Sequence, residues 1–363
     1  MEIAVLGGGH GCYATAAHLS EQGHRVRFWR RDAEALLPVI DDGTIAIKDF
    51  RGSREVSIAL PTTDLAEALD GAALVVIPLP ATTHESLAPQ VASVLQDGQV
   101  VYLPPGTFGT YIFAKALNDS GRNVNAMFAE TGTLPYLARK HGPKEVVISV
   151  YAKRLPTGVF PANKTEEAFE VLREAYPVEY CTDALSGALM NAGPIIHPPL
   201  MVMNAAPLQH FETWDIHNEG TQPSVRLVTD ALDEERVRVR EQLGYGAPHF
   251  PLRDHYNKEG EGEEWMYGRA AHEKLTDSGD WREDIDLTSH RYVLEDIRLG
   301  LSFISSVGNL TNTPTPIADG ILSIASAFTG RDLYAEGRTL ESLGLGHLSV
   351  DELQTLMRDG IVQ

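Results

Sequence analysis

Two groups of residues in this 363-residue chain have the types and spacing to do chemistry. The first is Gly7-Gly8-Gly9-His10-Gly11-Cys12, directly after the apolar run Glu2–Leu6. Gly7 permits a tight turn out of a strand, and Gly9 lets the backbone approach a pyrophosphate that a Cβ would strike. A helix opening there would offer N–H groups and the positive end of its dipole to phosphates. The third glycine of such fingerprints packs helix on sheet; Cys12 stands in its place, small but a departure. Gly7, Gly9, His10, Gly11 and Cys12 are therefore candidate cofactor-binding residues. The second group centres on His197, within Asn191–Pro199. A residue before proline is biased away from helical geometry, and Pro198 has no N–H to give the preceding turn. The imidazole is thus expected at a break between apolar segments, where it could move a proton near neutral pH.

The end of the second strand adds Arg30, Arg31 and Asp32. An arginine at that tip meets the 2′-phosphate of NADP, whereas an acid accepts from the ribose hydroxyls of NAD. The two arginines come first, which favours NADP(H); NAD(H) stays open if Asp32 bends back to the ribose. Pro78 opens a loop after the apolar strand Ala73–Ile77, and ligands of open α/β sheets bind beyond such strand ends.

These residues need elements to hold them. Glu2–Leu6, Arg25–Trp29, Ala73–Ile77, Val100–Leu103, Asn125–Ala129 and Val146–Val150 read as strands, and Thr44–Ile47 with Val56–Ala59 as a hairpin. Helical spacing at 10–22 and at Ser86–Leu95 between strands predicts a parallel sheet with helices on both faces. Beyond about Cys181, Pro199–Leu208, Ser224–Leu243, His290–Val307 and Pro316–Thr329 carry apolar stripes of helical period. Residues 248–279 read as a polar excursion. The expected organisation is a Rossmann-type α/β domain over 1–182 and a mainly helical domain over 183–363.

Composition excludes several classes. The net charge of −20 and the lack of a basic cluster argue against nucleic acid. No window approaches the apolar length of a membrane span, and the first residues look like a buried strand rather than a secretory signal. Two cysteines, Cys12 and Cys181, fit a reducing, cytoplasmic setting. His249, Asp254 and His255 lack the spacing of a tight ligand cluster, so no metal is expected.

The run Asn191–Pro199, with Asn204-Ala205, Glu219–Val225, Asp233–Arg236, Leu243-Gly244, His290–Ile297 and Thr313–Pro316, closely resembles the helical domain of the octopine/nopaline (opine) dehydrogenase family. Glu130-Thr131 with Leu134–Tyr136 is similar to that family's junction segment. The resemblance implies a helical domain of the 6-phosphogluconate dehydrogenase C-terminal type and a homodimer. It implies a reductase of the imine formed from an amine or amino acid and a 2-oxo acid such as pyruvate. By resemblance, His197 is the acid/base, Asp296 orients it, Arg291 holds the oxo-acid carboxylate, and Glu130 and Thr131 meet the amine or nicotinamide. Imidazole can protonate the hydroxyl lost in imine formation, and a guanidinium can grip a carboxylate through two parallel hydrogen bonds. A carbonyl or 2-oxo-acid reductase of similar build is the alternative. Such relatives commonly use a lysine in the helical domain, and after residue 190 this chain has only Lys258 and Lys274. A dinucleotide-binding protein without turnover is the third reading.

Overall fold

The computed structural model describes residues 1–256, 265–268 and 281–361. They form two compact units, one of Met1–Ala188 with residues from Leu356 onward, the other of Leu189–Thr355.

The first unit holds twelve strands: β1 (Glu2–Leu6), β2 (Arg25–Trp29), β3 (Thr44–Asp49), β4 (Gly52–Ser57), β5 (Leu60–Thr62), β6 (Leu74–Val76), β7 (Val100–Leu103), β8 (Met127–Thr131), β9 (Tyr136–Lys140), β10 (Glu145–Tyr151), β11 (Leu155–Phe160) and β12 (Val178–Tyr180). Eight form one sheet in the order β12-β11-β8-β7-β6-β1-β2-β5. Its central strands are almost wholly buried runs of Val, Ile, Leu and Ala, as expected of strands covered on both faces. Helices α1 (His10–Glu21), α2 (His84–Val94), α3 (Gly109–Asp119) and α4 (Thr165–Leu172) connect them. Pairing is parallel from β5 to β8, but β11 runs antiparallel to β8. The body of the sheet is thus parallel, as the alternation of strands and helices predicts, and β11 adds an antiparallel pairing at one side. β4, β3, β10 and β9 form a second sheet. The predicted hairpin is β3–β4, paired antiparallel from Thr44↔Ser57 to Asp49↔Gly52. The strand expected at Val146–Val150 lies in this second sheet as β10.

In the second unit the helices that matter are α5 (Gly193–Met203), α6 (Pro223–Gln242), a π-helix (Tyr292–Leu301), α7 (Ser302–Leu310) and α8 (Pro316–Thr329). Proline opens α6 and α8, where its fixed φ is pre-organised and its missing N–H costs nothing. The Glu235 carboxylate on α6 accepts from the N–H groups of Ile317 and Ala318 at 2.8 and 3.0 Å, so one helix caps the start of another.

α5 corrects the expectation at His197. It continues through Pro198 and Pro199, so the histidine lies inside a helix rather than at a break. Two prolines remove two helix hydrogen bonds, and pre-proline crowding disfavours the helix without forbidding it. Tertiary packing wins here. A Cβ on Gly193 of α5 would stand 2.4 Å from Asp296 Oδ1, and one on Gly300 would stand 2.2 Å from Pro194 Cγ. Only glycine lets α5 and the π-helix approach this closely. The polar excursion at 248–279, with Lys258 and Lys274, lies largely outside the described residues.

Gly300→Ala should therefore lower stability by about 1–3 kcal/mol, the usual effect of overpacking. Chemical denaturation of the two chains checks it, and an unchanged midpoint would contradict the close approach.

Candidate active site

The Gly-rich turn fits a dinucleotide. Gly7 has φ +119, a backbone conformation that side chains rarely adopt, and its N–H donates to the Trp29 carbonyl at 2.9 Å. A Cβ on Gly9 would meet nothing within 4 Å, so the turn leaves open space where a pyrophosphate approaches. α1 begins immediately after it, with the amide groups of its first turn available to an anion. Gly11 lies against Leu134, where a Cβ would come within 2.9 Å of the leucine side chain. Cys12 is buried, and its thiol reaches the carbonyls of Leu6 and Pro78, each at 3.6 Å. Burial pushes that thiol up to about 12, so Cys12 packs as a small apolar residue. Pro78 is buried beside it.

At the tip of β2, Arg30 donates to the Tyr13 hydroxyl at 3.1 Å and to the Ala35 carbonyl at 3.2 Å. Arg31 is exposed. Asp32 accepts from the Ala35 N–H at 3.0 Å and so caps its own turn. His10 is exposed, and its Nδ1 accepts from the Lys140 N–H at 2.8 Å.

Glu130 and Thr131 end β8 fully buried. The Glu130 carboxylate accepts from the Phe108 N–H at 2.8 Å and from the Thr110 hydroxyl, at the start of α3. It stabilises a turn in which Thr107 and Phe108 both adopt the left-handed region. The Thr131 hydroxyl donates to the Pro156 carbonyl at 2.8 Å. Beyond Thr131 the chain leads into β9.

The second unit brings the other predicted residues together. His197 Nδ1 lies 2.8 Å from Asp296 Oδ2, with both side chains largely buried. The Tyr292 ring stacks on the imidazole, with centroids 3.8 Å apart and planes at 17°. His217 meets the same imidazole edge-on at 5.6 Å, and Trp281 packs edge-on against His217 at 5.4 Å. Trp281 carries no sequence signal, and Tyr292 none beyond its motif.

A π-helix is rare and tends to mark functional sites. Its five-residue hydrogen bonding places Arg291, at its N-terminal cap, and Asp296 one turn apart. Burial pushes the Asp296 carboxyl up to about 7, and the Arg291 charge pulls it part of the way back. The Arg291 guanidinium itself is half exposed, 5.0 Å from the Tyr292 ring and 3.8 Å from a Glu295 oxygen. The arrangement is a largely buried His–Asp pair with a solvent-reachable cation next to it. Among the described residues no group of three or more His, Cys, Asp or Glu side chains could hold a metal.

A Rossmann-type unit followed by a helical unit bearing a His–Asp pair defines a class of NAD(P)-dependent oxidoreductases. Residues 180–329 match the NAD/NADP octopine/nopaline dehydrogenase alpha-helical domain, and residues 2–103 the NAD-dependent glycerol-3-phosphate dehydrogenase N-terminus. Over its helical unit the chain is thus similar to the octopine/nopaline (opine) dehydrogenase family. It is 29% identical to an opine dehydrogenase of Arthrobacter sp. (strain 1C), over 95% of this chain and 96% of that one. Two solved structures share the fold: octopine dehydrogenase with NADH and agmatine, and NADP+-bound yersinopine dehydrogenase. The first superposes with a TM-score of 0.73 at 17% identity, covering 98% of each chain. The second gives 0.63 at 15%, covering 98% of this chain and 97% of the other.

The raised pKa of Asp296 makes stability depend on pH. The folded chain keeps this proton to higher pH than the unfolded chain, where an aspartate titrates near 3.9. Its contribution is present in full below that value and is lost as pH rises through about 7. Asp296→Asn escapes the loss, so the variant should gain on the parent as pH rises from 4 to 8. Melting curves across that range check this, and parallel curves would contradict it.

Proposed function

We propose that this protein joins an amine or amino acid to a 2-oxo acid such as pyruvate and reduces the resulting imine to a secondary amine. The balance is one amine, one oxo acid, one NAD(P)H and one proton giving the secondary amine, NAD(P)+ and water. The observation that carries it is the 2.8 Å His197–Asp296 pair under Tyr292, with Arg291 one helical turn from Asp296. The relatives named as opine and octopine dehydrogenases support the same chemistry.

Attack of the amine on the oxo-acid carbonyl gives a carbinolamine, which must lose hydroxide as water. His197, held through Nδ1 by Asp296, gives its other ring nitrogen to that task, protonating the leaving hydroxyl. In the reverse direction the same nitrogen accepts a proton from water adding to the imine. Asp296 fixes the tautomer by its bond to Nδ1, leaving Nε2 as the nitrogen that exchanges the proton. Arg291 binds the carboxylate of the oxo acid, a bidentate contact that fixes the orientation of the imine carbon. A bound nicotinamide supplies the hydride. Gly7, Gly9, Gly11, Cys12, His10 and Pro78 form the turn and loop that receive the dinucleotide, with Arg30 and Arg31 selecting NADP(H). Asp32 supports that preference, because its carboxylate is turned to its own backbone.

The setting is proposed as cytoplasmic and the assembly as a homodimer. Cys12 and Cys181 form no disulfide. No helix among the described residues is long and apolar enough to cross a membrane. Leu227 on α6 and Ile324 on α8 are more than half exposed, apolar surface of the kind a partner copy covers.

NADPH oxidation with pyruvate alone, then with pyruvate and a panel of amino acids and amines, tests the reading. Amine-dependent oxidation is expected; oxidation by the oxo acid alone would make the protein a carbonyl reductase. His197→Ala should lower kcat about 10²–10⁴-fold with NADPH affinity nearly unchanged. Arg291→Met should instead raise KM for the oxo acid about 10- to 100-fold, leaving the amine KM close to its parent value. Parallel loss of cofactor binding in the histidine variant would mark a structural role.

A further inference from the structure

We propose that Lys140 is a specificity-determining residue, forming with Arg30 a two-cation clamp for the 2′-phosphate of the dinucleotide. The proposal rests on the dinucleotide reading above and adds a residue from a different sheet. Lys140 ends β9, in the four-stranded sheet, whereas Arg30 follows β2 of the eight-stranded one. Their charged ends meet at one side chain. The Lys140 ammonium lies 4.1 Å from the centre of the Tyr13 ring, and the Arg30 guanidinium donates to the Tyr13 hydroxyl at 3.1 Å.

Both cations are tied to the turn that receives the cofactor. The Lys140 N–H donates to His10 Nδ1 at 2.8 Å, fastening the end of β9 to the Gly-rich turn. A Cβ on Gly8 would stand 2.6 Å from Arg30 Nε, so the arginine lies directly over that turn. Gly8, which the dinucleotide fingerprint does not require, is explained by this contact.

The electrostatics point to an anion. Neither Arg30 nor Lys140 forms an ion pair with a carboxylate among the described residues, in a chain with 50 acidic and 30 basic side chains. Burial and the neighbouring Arg30 charge hold the Lys140 ammonium below the usual lysine range. Asp32, the acid nearest in sequence to the tip of β2, is engaged by the Ala35 N–H. Two like charges left facing one another cost free energy that a dianion would recover. Arg30 leaves the strand tip at which the ribose end of a dinucleotide is read, so the dianion is the 2′-phosphate, while the pyrophosphate takes the helix start.

Direct binding of NADPH, NADH and 2′,5′-ADP to the full chain tests this, with Lys140→Met and Lys140→Arg as variants. Lys140→Met should weaken NADPH and 2′,5′-ADP about 10- to 100-fold and leave NADH within about twofold, while Lys140→Arg keeps most of the affinity. Unchanged NADH binding shows that the variant is folded. Equal losses for NADPH and NADH, no loss for either, or a parent chain indifferent to the 2′-phosphate would each overturn the clamp. No amine or oxo acid enters the experiment. A failure of the imine-reduction reading would show instead as absent turnover with this binding pattern intact.

Discussion

The second unit is organised around a hydrogen bond of 2.8 Å between His197 Nδ1 and Asp296 Oδ2. A histidine buried without a partner settles its proton on either nitrogen, and its ring turns freely between orientations. A carboxylate at hydrogen-bond distance removes both freedoms. Keeping that carboxylate out of water is unfavourable, and the upward shift of its pKa is the expression of that cost. Three features sustain the arrangement. Gly193 and Gly300 let two helices approach until the pair meets. The Tyr292 ring lies flat against the imidazole. Arg291 offsets part of the desolvation of Asp296.

Most of the family-like motifs in the second unit serve this framework rather than the chemistry. Asp233 accepts from Arg236 Nε at 2.6 Å and from the Leu252 N–H at 2.6 Å. Arg236 in turn donates to the carbonyls of Leu189 and His249. Glu235 caps the helix that Pro316 opens, which links two motifs far apart in the chain. Asn204 joins the Leu200 carbonyl to the Gly220 carbonyl and accepts from Trp214 Nε1. Buried polar groups of this kind must be satisfied, and each fixes a segment whose backbone would otherwise be held only by packing.

Much of this was legible in the chain. The strand–glycine–helix start, the alternation of β and α, and the change to helical period near residue 181 follow from local patterning, and the sheet and helices agree. The pairing of His197 with Asp296, 99 residues apart, was readable only through the resemblance. Three features were hidden for physical reasons. The helix through Pro198 and Pro199 depends on packing against another helix, which pre-proline preference does not register. The π-helix has the apolar stripe of an ordinary helix, so its register is invisible in the pattern. Lys140 lies on a five-residue strand whose pairing partner is β10, and only the second sheet brings it to Tyr13.

The most direct test of the central pair is nitrogen-15 NMR of the His197 ring across pH 5 to 9, in the parent and in Asp296→Asn. The account predicts a proton held between Nδ1 and the carboxylate, seen as a strongly deshielded proton resonance coupled to Nδ1 and lost in the variant, with Nε2 as the nitrogen that titrates. A ring titrating at Nδ1, or spectra identical in the two chains, would contradict it.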